Sequence, residues 1–124
     1  VPRGEDETLR GYTGSLRLAA DESIADRAGL PAVKDRYHVV NVKLVKTGGL
    51  TEARALARAT RARGRQVMGG CMAGTSLAMA AGMVVGQMAE FVDLDGPLLH
   101  AQARQHGIEY DLGLMQLPSA ELWG

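Results

Sequence analysis

Two carboxylates separated by one residue, Asp93 and Asp95, close the strand-like run that begins near Glu90, just ahead of Gly96-Pro97. Residues two apart on a strand share a face, so both acids project together from one strand end and form an anionic clamp suited to a cation. Two earlier strand-like runs also end in charge: Leu18-Ala19-Ala20 in Asp21-Glu22, and Val39-Val40-Asn41-Val42 in Lys43. Parity puts Asn41 and Lys43 on one face of the second run and Val40, Val42 and Leu44 on the other. It puts Phe91, Asp93 and Asp95 on the face opposite Val92 and Leu94. With the apolar set against helices, Asp21, Lys43 and the Asp93/Asp95 pair gather at one mouth of a parallel barrel, where C-terminal strand ends build active sites.

Each residue alone has a plainer reading. A single Asp at a strand end commonly caps a turn, and Lys46, three residues beyond Lys43, reads as a snorkelling surface lysine of the following loop. Cys71 has no base near it in sequence and reads as a small buried hydrophobe. His38, His100 and His106 show no metal-ligand spacing. It is the recurrence of ionisable groups at successive strand ends that points to chemistry.

Strand-like runs begin near Leu16, Val39, Gln66 and Glu90, with helical segments between them, the spacing of one strand-loop-helix-loop unit. An amphipathic helix is expected from Thr51 to Arg63, with Arg54, Arg58, Arg61 and Arg63 on its wet face and Gly64 as its stop. A second is expected from Thr75 or Ser76 to about Gln87, and a third over Leu98 to His106. Ile108 to Leu114 reads as an extra strand or extended tail. Four units make half of an eightfold barrel, so residues 1–107 are expected to be a half barrel of class α/β and residues 108–124 a C-terminal tail. Such a half leaves two open edges and an uncovered inner face, and the chain reads as part of something larger.

With 124 residues, 46% of them hydrophobic and 23% charged, the composition is that of a folded domain with a core. Fourteen basic and 14 acidic residues cancel and are scattered, which argues against nucleic acid or an acidic membrane surface as the main partner. The apolar stretch Leu77 to Val85 is far short of the roughly 20 residues that span a bilayer. One cysteine permits no intrachain disulfide, so a reducing, cytoplasmic location is the simpler expectation. The opening Val1-Pro2-Arg3-Gly4 lacks a methionine and reads as an internal start.

Four motifs, in order, resemble the enolase superfamily in its muconate-lactonising subgroup: Ala20-Asp21-Glu22-Ser23, Asn41-Val42-Lys43-Leu44-Val45-Lys46-Thr47-Gly48-Gly49, Met68-Gly69-Gly70-Cys71-Met72 and Asp93-Leu94-Asp95-Gly96-Pro97. The last resembles the dipeptide epimerases, above all the L-Ala-D/L-Glu epimerases. The resemblance implies strands five to eight of a (β/α)8 TIM-like barrel, with the N-terminal half and a capping domain, on which the tail would pack, outside this sequence. It implies that Asp21 is one of three carboxylates holding Mg2+, with Glu22 as an acidic neighbour behind it, and that Lys43 is one of two acid/base lysines. It also implies that Asp93 and Asp95 hold the free ammonium of a dipeptide such as L-Ala-L-Glu, and that Cys71, Met72 and Ala73 line the dipeptide. Lys46 matches a position without a catalytic role, and Ala73-Gly74 is smaller than the residues relatives often carry there.

The implied chemistry is coherent. Removing a proton next to a carboxylate makes an enediolate, which needs a nearby divalent cation at neutral pH. A lysine base must be neutral to act, and positive charge beside it favours that form. Inversion needs a base on each face, so this chain alone is expected to be inactive. Muconate cycloisomerase and o-succinylbenzoate synthase chemistry are the alternatives within the subgroup, but their substrates carry no ammonium for the acid pair. A non-catalytic half barrel binding an anion at Gly69-Gly70 and the helix near Thr75 is the alternative from another class. The sequence leaves homo-oligomerisation open.

Overall fold

The computed structural model describes residues 1–124. After a 3-10 turn over Asp6–Leu9, the chain forms β1 (Ala19–Ala20), a short 3-10 turn leading into α1 (Leu30–Val33), and β2 (Val39–Lys43). Helices α2 (Leu44–Thr47) and α3 (Leu50–Arg61) follow, then β3 (Gln66–Gly70), α4 (Ser76–Gly86) and β4 (Phe91–Asp93). A 3-10 turn over Gly96–Leu99 leads to an antiparallel hairpin of β5 (Tyr110–Asp111) and β6 (Leu114–Met115), and α5 (Ala120–Trp123) ends the chain.

Strands β1 to β4 pair in chain order, all parallel. Parallel neighbours need crossovers, which the helices supply. α3 forms because Ala53, Leu56, Ala57 and Thr60 recur at helical spacing and bury together, while its arginines stay outside. Each fully buried side chain of Leu56 size contributes roughly 1.5 to 3 kcal/mol. The helix ends before Gly64, whose φ of +68° turns the chain toward β3.

Val40, Val42 and Val67 pack with Leu56, Ala57 and Val85 in the main core. A second cluster joins Met79, Ala80 and Leu94 to Ile108 and Leu122 of the tail. The Ser76 hydroxyl accepts a hydrogen bond from the Ile108 N–H at 3.0 Å, so the start of α4 anchors the tail. Thr75 is the N-cap by position, but its side chain makes no capping bond.

One expected helix is absent. Leu98 to His106 forms no α-helix, only the 3-10 turn ending at Leu99. Its large apolar residues, Leu98 and Leu99, are adjacent rather than three or four apart, so a helix would have no stripe to bury, and both are exposed. No helix is long and apolar enough to cross a membrane.

Candidate active site

The strand register puts the chemistry in one row. Lys43 pairs with Gly70, and Gly70 pairs with Asp93, so these three positions lie level at the C-terminal ends of β2, β3 and β4. Gly70 keeps the row open: a Cβ there would sit 2.2 Å from Asn41 Oδ1. The expected parity holds, since Val40 and Val42 enter the core while Asn41 and Lys43 face away from it. Leu94 lies under α4, where a Cβ on Gly82 would come within 2.9 Å of it.

Asp21, one residue past β1, meets Lys43 across the strand ends. Lys43 Nζ lies 2.9 Å from Asp21 Oδ2, and Asn41 Nδ2 donates to the same oxygen at 3.3 Å. Lys46 is not the solvent lysine expected from sequence. α2 begins directly after Lys43, and three residues along a helix return to the same face, which brings Lys46 Nζ to 2.6 Å from Asp21 Oδ1 and onto the Asp21 carbonyl. Burial pushes the Asp21 carboxyl upward, but the hydrogen bonds and charges of Lys46 and Lys43 outweigh it and hold it below its ordinary value. Glu22 is exposed, with no hydrogen bond or ion pair to Asp21.

The second half of the row is acidic. Cys71 Sγ and carboxylate oxygens of Asp93 and Asp95 lie within 4.8 Å of one another. Partial burial, the Asp95 charge and a hydrogen bond with Asp95 push the Asp93 carboxyl above its ordinary value, against the pull of Lys43. Burial likewise raises the Cys71 thiol, with Asp93 and Asp95 adding to the effect and a hydrogen bond from Gly96 opposing it. That is an inert thiol beside a strained acid pair rather than a nucleophile. Tyr110 of the tail hairpin donates to the Leu94 carbonyl at 2.6 Å, bracing the backbone between the two acids.

Met72 links the halves, its sulfur 3.9 Å from Lys43 Nζ, and Ala73 is exposed beside it. Asn41, Lys46 and Tyr110 are the site residues that sequence reasoning gave no role. Only Asn41 carried a signal, a polar side chain inside an otherwise apolar strand.

The oxygen donors near Asp21 suit a hard divalent cation. Its carboxylate already holds cationic groups, and the buried Asn41 Oδ1 beside it has no hydrogen-bond partner. Among these groups, Asp21 is the carboxylate that could serve as a ligand.

The family described as enolase C-terminal domain-like matches residues 2–121. An N-acetyl-D-glutamate racemase of a Pseudoalteromonas species is 47% identical over 124 residues, covering 100% of this chain and 39% of its own length. The L-Ala-D/L-Glu epimerase of Escherichia coli K12 is 42% identical over 94% of this chain and 36% of itself. A crystal structure of an enolase family member from Agrobacterium tumefaciens with homology to dipeptide epimerases, with bound sodium and L-Ala-L-Glu, superposes with a TM-score of 0.94 at 43% identity, covering 100% of this chain and 38% of that one. The Methylococcus capsulatus dipeptide epimerase, complexed with Mg and the dipeptide L-Arg-D-Lys, superposes with a TM-score of 0.81 at 29% identity, over 94% and 35% of the two chains. The chain thus spans less than two fifths of the length of each relative. It belongs to the enolase superfamily, in the muconate-lactonising subgroup close to the dipeptide epimerases, and folds as the C-terminal half of that family's barrel.

Proposed function

We propose that, within the complete protein, this chain supplies one side of a dipeptide epimerase active site. The observation that carries this reading is the acid pair: the Asp93 and Asp95 carboxylates converge at the strand end level with Lys43, and the Asp95 charge adds to the rise in the proton affinity of Asp93. An entering ammonium relieves that repulsion, and charge-assisted hydrogen bonds to it contribute roughly 1.5 to 3 kcal/mol each. A free dipeptide amino terminus is such a cation. Cys71, Met72 and Ala73 would flank the peptide, and the small Ala73-Gly74 leaves room there.

Lys43 is the acid/base group of one face. It takes the α-proton from one epimer and returns it to the anion formed from the other, while the base of the opposite face comes from the rest of the protein. Asp21 would hold Mg2+, with Glu22 as its exposed acidic neighbour, and the metal when bound would supply positive charge to offset the negative charge that proton removal puts on the substrate carboxylate. The magnesium in the Methylococcus relative supports this. Residues 1–107 act as the half barrel and 108–124 as a tail packing on a capping domain, a role supported by the exposed Leu112, Leu114, Leu117 and Trp123. The lone free cysteine fits a reducing compartment such as the cytoplasm.

The Pseudoalteromonas relative favours a second reading, racemisation of an N-acylated glutamate. Acylation removes the ammonium but leaves the α-proton chemistry unchanged. The deciding measurement is kcat/KM of the complete protein for L-Ala-L-Glu and for N-acetylglutamate, with α-proton exchange followed in deuterated water. Two charge-assisted bonds predict a preference for the free dipeptide of on the order of a hundredfold or more. Preference for the acetylated substrate would establish the second reading instead.

A further inference from the structure

Outside the row of strand ends, one half-buried polar junction has no part in the chemistry above. Asp6 stands at the start of the 3-10 turn Asp6–Leu9, and its Oδ1 accepts hydrogen bonds from the hydroxyls of both Ser23 and Tyr37, the latter at 2.5 Å. Its other oxygen accepts from the Gly4 N–H at 3.3 Å. Ser23 is two residues beyond Asp21, in a turn closed by the Ile24 N–H donating to the Asp21 carbonyl at 3.2 Å. Tyr37 is buried in the main core just before β2.

We propose that Asp6 is a positioning residue for the metal carboxylate Asp21, acting through Ser23. The geometry makes Asp6 a junction between the metal-bearing turn and a fixed point of the core. Ile24 holds the far side of that turn, being 2% exposed among core side chains. Ser23 holds the middle through Asp6, and Lys46 holds Asp21 itself. The segment bearing Asp6 is docked independently by the Glu7–Arg36 ion pair and by Leu9 against the core. Both hydroxyls favour the ionised carboxylate and keep Asp6 below its ordinary proton affinity, so it stays a strong acceptor at neutral pH. A turn held at three points presents its carboxylate in one direction, whereas a turn released at Ser23 must order that carboxylate when the cation arrives.

The inference rests on the assignment of Asp21 to the metal. The test is an equilibrium Mg2+ titration of the complete protein, with thermal unfolding recorded for each variant. Partners behind metal ligands typically cost 10- to 100-fold in affinity when removed, so Asp6→Ala and Ser23→Ala should each weaken Mg2+ binding about tenfold. Because they cut the same link, the double variant should be no weaker than Asp6→Ala alone. Asp6→Asn keeps an oxygen able to accept both hydroxyls and should restore most of the affinity. Tyr37→Phe should lower the unfolding temperature while changing Mg2+ affinity less than Ser23→Ala does. Unchanged Mg2+ affinity in Asp6→Ala and Ser23→Ala, or additive losses in the double variant, would overturn the positioning role while leaving the metal site standing. Equal Mg2+ binding by the parent protein and Asp21→Asn would overturn the metal assignment and this inference with it.

Discussion

Lys46 Nζ lies 2.6 Å from Asp21 Oδ1, on the oxygen that Lys43 leaves free; Lys43 Nζ holds Oδ2 at 2.9 Å. One carboxylate therefore carries two ammonium groups, and a divalent cation arriving at Asp21 must compete with both. The competition is unequal, because Lys43 also faces the acid pair across Gly70, whereas Lys46 lies over the Asp21 backbone.

Removing Lys46 should tighten Mg2+ binding. Two unit charges 4 Å apart at an effective dielectric of 20 repel by about 4 kcal/mol. Partial exposure and salt reduce this, and the lost orientation of Asp21 opposes it by about 1 kcal/mol. The remainder favours the metal by roughly tenfold in Lys46→Met, with Lys46→Arg close to the parent. A Mg2+ titration that showed weaker binding in Lys46→Met would mean that orientation outweighs competition.

Lys43 should behave differently. Lys43→Ala in the complete protein should lower epimerisation by at least 100- to 10,000-fold, the range for loss of a positioned acid/base group. Proton exchange should persist for one epimer only, since the opposite face keeps its own base. Exchange spectra in deuterated water check this; loss or retention of exchange with both epimers would remove Lys43 from the acid/base role.

Asp93→Asn should stabilise the protein while impairing it. Burial and Asp95 raise the Asp93 carboxyl, so the folded state holds its proton to a higher pH than the unfolded state does. Stability is then lost as pH rises from the unfolded value through the raised folded one. Asparagine removes that loss, so the unfolding temperature of the variant should exceed the parent's at pH 7 and converge on it in acid, below the unfolded value near 3.9. Thermal scans from pH 3 to 7 without substrate give the comparison. A lower unfolding temperature at pH 7 would show that the pair braces the strand end rather than straining it.

The acid pair and the facing of β2 and β4 were legible because each rests on a period of two in short apolar runs, and the strand order because strand-like and helical segments alternate at the spacing of one strand-loop-helix-loop unit. Lys46 was not. Its role depends on α2 starting directly after the strand, a turn that nothing in Leu44-Val45-Lys46-Thr47 announces and that three-residue spacing alone cannot distinguish from a loop. The segment Leu98 to His106 failed for a related reason: good helix formers without an apolar stripe gain too little from burial to pay for nucleating a helix. Tyr110 was invisible as a brace for Leu94 because its partner is a backbone carbonyl 16 residues away.

Gly96→Ala should separate binding from chemistry. A Cβ at Gly96 would lie 2.9 Å from the Met72 carbonyl oxygen and 3.2 Å from the Gly74 nitrogen, both backbone atoms that no side-chain rotation can move aside. The segment Met72 to Gly74, which would line the dipeptide, must therefore shift away from the strand end bearing Asp93 and Asp95. Overpacking of this kind typically costs 1 to 3 kcal/mol of stability, and here the displacement falls on the binding segment. Lys43 and Asp21, on β2 and after β1, stay in place. The variant should show KM for a free dipeptide raised about tenfold or more, kcat within about threefold of the parent, and Mg2+ affinity unchanged, a pattern of lost uniform binding. Steady-state kinetics of the complete protein beside a Mg2+ titration test it. A fall in kcat with KM preserved would place the Met72 to Gly74 segment in the transition state rather than in substrate binding.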